Sequence, residues 1–388
     1  IFNLNSLPKD LFVQPGECIP NRVGFSKYAS YVNTIYEKKY GYPLVMAMSA
    51  DLADSTNLSG FSKNYDNGYD RGLFDKNNNV DSPLFPQGIT EFTNAGMMAG
   101  ATTVNFSNNP YENFNGFYGA ASTYGSFSYL KYGPLRLFSQ IAQDSNLKVG
   151  KFIWVVGHSG PETAEDSRTH FGIFAPGVTQ LFPNGHIINI HPWEHNEVAP
   201  SLSAALQTEV PIIAIHLTRP AIVIPDRNSM GISSHMDSAK GAYIIKDFEK
   251  EGRRKGVVIV RGTSATNSII QILPKLKEKG INVKIIAAIS WELFIRQDKN
   301  YREKVISAYE WNDAMVITNG SIKLMNNWIS SFVVKKYSIS PDYDNKWRTG
   351  GSVNEIIKES RLDPDSIFKG IEKFSKDFDK RHFLSNTN

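Results

Sequence analysis

One cysteine, Cys18, is all that the 388-residue chain contains, so no internal disulfide can brace it. That scarcity points to a reducing, cytoplasmic compartment. Long apolar runs are missing too: nothing reaches the length needed to cross a bilayer, and the start lacks the succession of a signal peptide. Charge of one sign is scarce, with 42 Lys and Arg against 38 Asp and Glu, a formal +4. No dense basic tract alternates with aromatics, and a cluster such as EGRRKG (251–256) reads as a solvated turn. Neither nucleic acid nor a membrane is therefore expected as a partner. Internal repeats, low-complexity segments and heptads are absent, and the chain opens on Ile1 rather than Met, as a processed or partial product would.

What the sequence does have is a succession of short, β-branched apolar runs. YPLVMAMSA (42–50), TTVNF (102–106), KFIWVVGH (151–158), HIINIHP (186–192) and PIIAIHLT (211–218) each have the length of a buried strand. Between them, YGPLRLFSQIAQDS (132–145) and PSLSAALQT (200–208) read as helices. Strand alternating with helix predicts an α/β fold built on a doubly wound, mostly parallel sheet. The pattern breaks over 221–243, where turn residues crowd and no amphipathic period survives. A second series follows: GVVIVRG (256–262), a helix through NSIIQILPKLKEKG (267–280), NVKIIAAIS (282–290), DAMVITNG (313–320) and a charged helical tail after 350. Length also favours two domains. The expectation is two doubly wound domains, 1–225 and 226–388, each with a mostly parallel sheet flanked by helices.

One segment carries more chemistry than a loop needs. GHSGPETAEDSRTH (157–170) gathers histidines, acids and an arginine directly after an apolar run. In open α/β sheets ligands collect at the carboxyl ends of strands. His158 follows KFIWVV and Arg219 follows PIIAIHLT, so the two would share one rim if those strands are parallel neighbours.

Four stretches, in this order, resemble the transketolase family. SADLADSTNLS (49–59) is similar to its SADL segment, and PQGITEFTNAGMMAG (86–100) to the segment with the cofactor glutamate. HSGPETAEDSRTH (158–170) resembles its H-D-S-x-x-x-G-E-D-G-P-T-H segment, with both histidines at the family spacing. WELFIRQDKNYRE (291–303) resembles the E-L-F-x-x-Q run of the carboxyl-terminal domain. The resemblance implies a pyrimidine-binding domain followed by that carboxyl-terminal domain. It further implies thiamine diphosphate with Mg²⁺, and transfer of a two-carbon ketol unit from a ketose phosphate to an aldose.

By that resemblance, Glu91 is the carboxylate that hydrogen-bonds the pyrimidine ring, favouring the imino tautomer whose exocyclic nitrogen acts as a base. The family's Arg and His beside it are here Thr90 and Phe92, which offer no proton transfer. The ring-lining positions fall on Tyr124, Phe127 and Leu130, with Tyr129 taking the place of Leu130 if the register slips. Asp51 matches a cofactor-proximal acid near a dimer interface, and Glu165 a cofactor-side or structural one. His158 and His170 would line the substrate channel. Asp166 would read a hydroxyl beside the donor carbonyl, since an acid left unpaired discriminates against sugars lacking that group. Ser167 and Arg168 stand where the family has glycine and proline. Arg219 matches a phosphate-binding arginine; its companion aligns with Lys27, a point charge in place of a bidentate fork. Ser55 or Thr56 would add a hydroxyl.

The GDG that begins the diphosphate and Mg²⁺ site of thiamine enzymes appears nowhere. The expectation is that an amino-terminal module, in the same polypeptide or a separate subunit, holds the metal and diphosphate. The site would then form at an interface with that module and a second copy of this chain. Two other readings remain: a beta-type subunit of a 2-oxoacid dehydrogenase, and a non-catalytic, regulatory transketolase-like subunit. The first is disfavoured by the histidine spacing and the ELF run, the second by the dispersed positions that match.

Overall fold

The computed structural model describes residues 2–50, 52–66 and 72–386. A short strand, β1 (Cys18–Ile19), leads into a long helix, α1 (Asn21–Tyr40). Pro20 sets the extended backbone before α1, and Gly41 ends it at φ 85°, where its N–H bonds the Glu37 carbonyl at 2.8 Å. The first sheet comprises β2 (Val45–Ser49), β3 (Leu84–Phe85), β4 (Tyr118–Tyr124), β5 (Phe152–Gly157), β6 (Ile187–Ile190) and β7 (Ile212–His216). Its spatial order is β3-β2-β4-β5-β7-β6, and every neighbouring pair is parallel. The crossovers run through α2 (Glu91–Thr103), α3 (Tyr132–Asp144), α4 (Ala175–Val178) and α5 (Val198–Gln207).

Side chains alternate cleanly between the two faces of this sheet. Val45, Ala47, Ile153, Val155, Ile213 and Ile215 pack toward α1 and α5. Met48, Phe152, Trp154, Val156, Ile212 and Ala214 pack toward Ala95, Met98, Leu135 and Phe138 of α2 and α3. Burial on both faces explains why these strands read as unbroken apolar runs. Each Val, Ile, Leu, Met or Phe side chain among them contributes about 1.5–3 kcal/mol.

A turn-rich segment then leads to the second sheet. It is not a free tether: β8 (Ile222–Val223) pairs antiparallel with β1, and Ile224, Arg227 and Ile232 are buried. The second sheet holds β9 (Ala242–Lys246), β10 (Val257–Arg261), β11 (Lys284–Ala288) and β12 (Ala314–Thr318) in the order β12-β10-β11-β9. Its first three members are parallel and β9 is antiparallel, so this sheet is mixed. Helix α6 (Thr263–Glu278) and the helix Pro364–Lys376 cover one face through Ile269, Ile272, Leu276, Ile367 and Phe374. Phe294, Val305, Ile306 and Trp328 cover the other.

The two sheets share one apolar cluster, in which Trp193 and Leu202 join Val258, Ile269 and Leu293. Backbone bonds stitch the seam: His191 N–H to Ile289 O at 2.7 Å, Ser321 N–H to Ile173 O and Gly350 N–H to Ala164 O, both at 3.0 Å. One expected strand is corrected. Thr102 and Thr103 of TTVNF finish α2, their hydroxyls bonded back to Met98 O at 2.6 Å and Gly100 O at 2.7 Å. The strand in that region is β4, later in the chain.

Candidate active site

Strand order reverses between β2 and β4, since the chain runs outward to β3 and then crosses back. Ligands bind at such a switch point, beyond the carboxyl ends of the strands. Here those ends carry Ser55 after β2, Tyr124 at the end of β4, His158 after β5 and Arg219 after β7. A cleft of about 720 Å³ opens beside them, lined by Ser49, Asp54, Ser55, Phe85 and Gln87 among others.

Glu91 is the first residue of α2 and 6% exposed. Its Oε1 accepts from the Thr123 hydroxyl at 3.0 Å, one residue before Tyr124. The Tyr124 ring centre lies 4.2 Å from that of His158 and 5.4 Å from that of His170. Phe127 meets His170 edge-on at 5.2 Å. Tyr124, Phe127 and both histidines are thus linked by direct contact along one rim, and Glu91 is joined to it through Thr123. Leu130 is not: it faces outward, 39% exposed, beside Tyr129 at 60%. Tyr129 lines a second, more apolar cleft of about 820 Å³ with Phe127, Phe174, Trp347 and Arg168.

His158 sits at φ +56°, a strained conformation for a residue with a Cβ and one that clusters at functional sites. Its Nε2 lies 2.6 Å from Arg22 Nη1 and 3.0 Å from Ser55 O. A guanidinium can only donate and a carbonyl oxygen only accept, so Nε2 serves one of the two: accepting from Arg22 puts the ring proton on Nδ1, donating to Ser55 O keeps it on Nε2. That Nδ1 is buried with no partner among the described residues. Burial, then Arg22 and Arg219, push the imidazole down from 6.5 to about 3. His158 therefore works as a neutral ring. A histidine depressed in this way contributes stability that is fully present above pH 6.5 and is lost as pH falls toward 3. Arg22→Met is expected to raise the His158 titration by on the order of one pH unit, read from imidazole NMR with a His158→Asn assignment control. An unmoved titration would remove Arg22 from this account.

His170 is held differently, with Nδ1 at 2.6 Å from Ser167 Oγ and 3.1 Å from Thr169 Oγ1. Ser167, a departure from the family pattern, thereby supplies a hydroxyl that orients the ring. Asp166 and Arg219 pair at 2.8 Å, with Glu165 at 3.5 Å from the same nitrogen. All three are partly exposed, so the pair is worth about 0–1 kcal/mol and opens easily.

The Ser55 and Thr56 alternatives separate. Thr56 is buried and its hydroxyl is taken by Leu52 O at 2.8 Å and Ser122 Oγ at 2.7 Å, whereas Ser55 Oγ faces Tyr124 OH at 3.1 Å. Lys27 is corrected. Its charge acts on His195, while Arg22, in the first turn of α1, reaches Ser55 O and His158. The two positions lie about 140° apart around the helix. Asp51 lies outside the described residues.

Two further residues escaped the sequence reading. Arg22 was hidden because only the phase of α1 reveals which of its cations faces the rim. Lys131 is fully buried, its Nζ donating to Ala121 O and Val155 O, both at 3.0 Å. Burial pushes its ammonium well below the ordinary lysine value, and only then does the charge of Glu91 oppose that shift.

A buried carboxylate held by Thr123, with aromatic rings following it along the same strand end, is a set of groups that fits an aminopyrimidine. No group of three or more His, Cys, Asp or Glu converges as a metal site would need, among the described residues.

Comparison with known proteins bears on these observations. The transketolase pyrimidine-binding domain model matches residues 33–223, and the transketolase-like carboxyl-terminal domain model matches 241–342. Similar curated proteins include transketolase 7 of Craterostigma plantagineum, 29% identical over 164 residues, covering 42% of this chain and 23% of the relative. A chloroplastic transketolase of Spinacia oleracea is 26% identical over 192 residues, covering 49% of this chain and 24% of the relative. The transketolase structure from Leishmania mexicana superposes with a TM-score of 0.72 at 16% identity over 97% of this chain and 47% of its own. That from Campylobacter jejuni gives 0.69 at 17% identity, over 96% and 49%. The chain thus spans about half the length of the transketolase structures it matches. The six-stranded and four-stranded sheets fall within matched segments, in the family's order, and the chain belongs to the transketolase family.

Proposed function

We propose that this chain supplies the aminopyrimidine-side half of a thiamine diphosphate-dependent site that moves a two-carbon ketol unit from a ketose phosphate to an aldose. An amino-terminal module, in the same polypeptide or a partner subunit, holds the diphosphate and Mg²⁺. The observation that carries the reading is the joining of Glu91, Tyr124, Phe127, His158, His170 and Arg219 along one strand-end rim.

The bound cofactor supplies the nucleophilic carbon and, through its own aminopyrimidine, the base. Glu91 hydrogen-bonds the pyrimidine ring nitrogen, and Thr123 fixes the rotation of that carboxylate. Tyr124 and Phe127 give the ring its flat walls. Thr90 and Phe92 move no proton, so proton transfer on this side rests on Glu91 alone. His170, steadied by Ser167, orients sugar hydroxyls, and His158 offers them a neutral ring. Asp166 accepts from a donor hydroxyl once Arg219 turns from it to the substrate phosphate. Arg22 takes the place proposed above for Lys27, adding a second guanidinium near Arg219. The exposed apolar side chains Ile89, just before α2, Phe92 and Met97 on α2 and Leu137 on α3 offer a surface suited to self-association.

The natural full-length product, or this chain combined with a diphosphate-binding module, should transfer ketol units only with thiamine diphosphate and Mg²⁺ present. In that enzyme, Arg219→Ala should raise KM for phosphorylated sugars by about 10- to 100-fold, the loss of one charge-assisted bond. KM for their unphosphorylated analogues should barely change. Equal losses on both would mean that Arg219 does not read phosphate. Decarboxylation of a 2-oxoacid without ketol transfer would overturn the reading itself.

A further inference from the structure

Glu162 has no part in the site described above, yet it is the most deeply enclosed acid of the loop that builds it. It lies between His158 and His170 and is fully buried. Its Oε1 accepts from the Ser264 hydroxyl, in the first turn of the sixteen-residue helix α6. That helix belongs to the second sheet, so the contact crosses from one domain to the other. Gly262, which precedes α6, provides no side-chain cap. A carboxylate at that end meets the favourable pole of the helix dipole.

The side chain fits there because Gly160 leaves room. A Cβ on Gly160 would lie 2.3 Å from Glu162 Oε2 and 3.0 Å from Asn319 Nδ2. Gly160 also adopts φ +101°, which disfavours any other residue. Around this point Thr218 Oγ1 lies 2.5 Å from Thr263 Oγ1, and Gly160 and Gly172 exchange backbone bonds at 3.0 and 3.4 Å. The strained His158, the closed turn 160–172 and the start of α6 form one fastened unit.

We propose that Glu162 is a positioning residue: through α6 it anchors the 158–170 loop to the second domain and so sets where His158, Asp166 and His170 stand. The proposal rests on the transketolase reading for the roles of those three residues, but the anchoring itself does not. Burial pushes the Glu162 carboxyl up to about 7, against the bond from Ser264, so the acid is costly to keep here and packing alone does not call for it.

The test uses the full-length enzyme with Glu162→Ala, Glu162→Gln and Ser264→Ala. Hydrogen exchange of amides 159–170 and the split between KM and kcat for the ketose donor are measured together. Glu162→Ala and Ser264→Ala should speed loop exchange by on the order of tenfold, the loss of about one hydrogen bond, and raise donor KM more than they lower kcat. Glu162→Gln, which keeps an acceptor for Ser264, should restore most of both. Unchanged loop exchange in the alanine variants, or a glutamine variant as impaired as alanine, overturns the proposal. Faster exchange in an enzyme without ketol transfer upholds the anchoring and overturns the transketolase reading instead.

Discussion

Arg227→Met is expected to destabilise the protein by about 3–5 kcal/mol, the cost of leaving buried charge without its partner. Arg227 is 7% exposed and its Nη2 donates to Glu194 at 2.7 Å and Glu197 at 2.8 Å, both fully buried. Nη1 reaches Ser233 O at 3.0 Å and the Tyr243 hydroxyl at 3.1 Å, and the guanidinium lies against the Trp193 and Tyr243 rings. One side chain from the connecting segment thus joins the start of α5 to β9. Two carboxylates share this one cation. Burial lifts Glu197 from 4.5 to about 7, despite Arg227. An acid raised in this way contributes stability that is fully present below pH 4.5 and is lost as pH rises through 7. With Arg227 gone, Glu197 would protonate more readily, so the deficit should be largest at pH 8 and shrink toward pH 5. Urea midpoints across that range measure it. Adding Glu197→Gln to the variant should recover part of the loss. An unfolding free energy within about 0.5 kcal/mol of the parent at pH 8, the ordinary surface range, would mean the cluster is not a closed ion pair.

The second large effect concerns Glu91. In the complete enzyme, Glu91→Gln should lower kcat by about 10²–10⁴-fold, the usual contribution of a group that directs proton transfer. Stability should change little, because the amide fills the same volume and still accepts from Thr123. Thr123→Val should cost less, since it frees the carboxylate to rotate without removing it. Kinetics at saturating cofactor separate this from weaker cofactor binding. A glutamine variant within tenfold of the parent would take Glu91 out of the chemistry.

Much of the fold was legible where burial on two faces left unbroken β-branched runs, as in β5 and β7. β4 was illegible for the opposite reason. It lies between β2 and β5, where α2 presses so close that a Cβ on Gly119 would meet Thr102 Oγ1 at 2.5 Å and Met98 O at 2.6 Å. Small residues fill Gly119–Ser122 because nothing larger fits, and small residues carry no strand signal. The antiparallel β9 was missed because it emerges from a turn-rich segment whose structure depends on Arg227. Of the site, the residues set by spacing within one loop were readable: His158, Asp166 and His170 do share a rim with Arg219. Arg22 was not readable, because its place depends on how α1 is rotated against a strand end far along the chain. Lys131 was missed because a lone lysine among aromatics looks like a surface residue until packing encloses it.

The resting pair between Asp166 and Arg219 has a consequence for selectivity. Each partner already satisfies the other, so a ligand must compensate both ends to displace the contact. A bare inorganic anion would engage the cation and strand the acid; a neutral polyol would do the reverse. On the function proposed above, a molecule bearing an anion and a suitably spaced hydroxyl would meet both partners in the exchange. Discrimination would then arise from two weak, coupled demands rather than from one tight one.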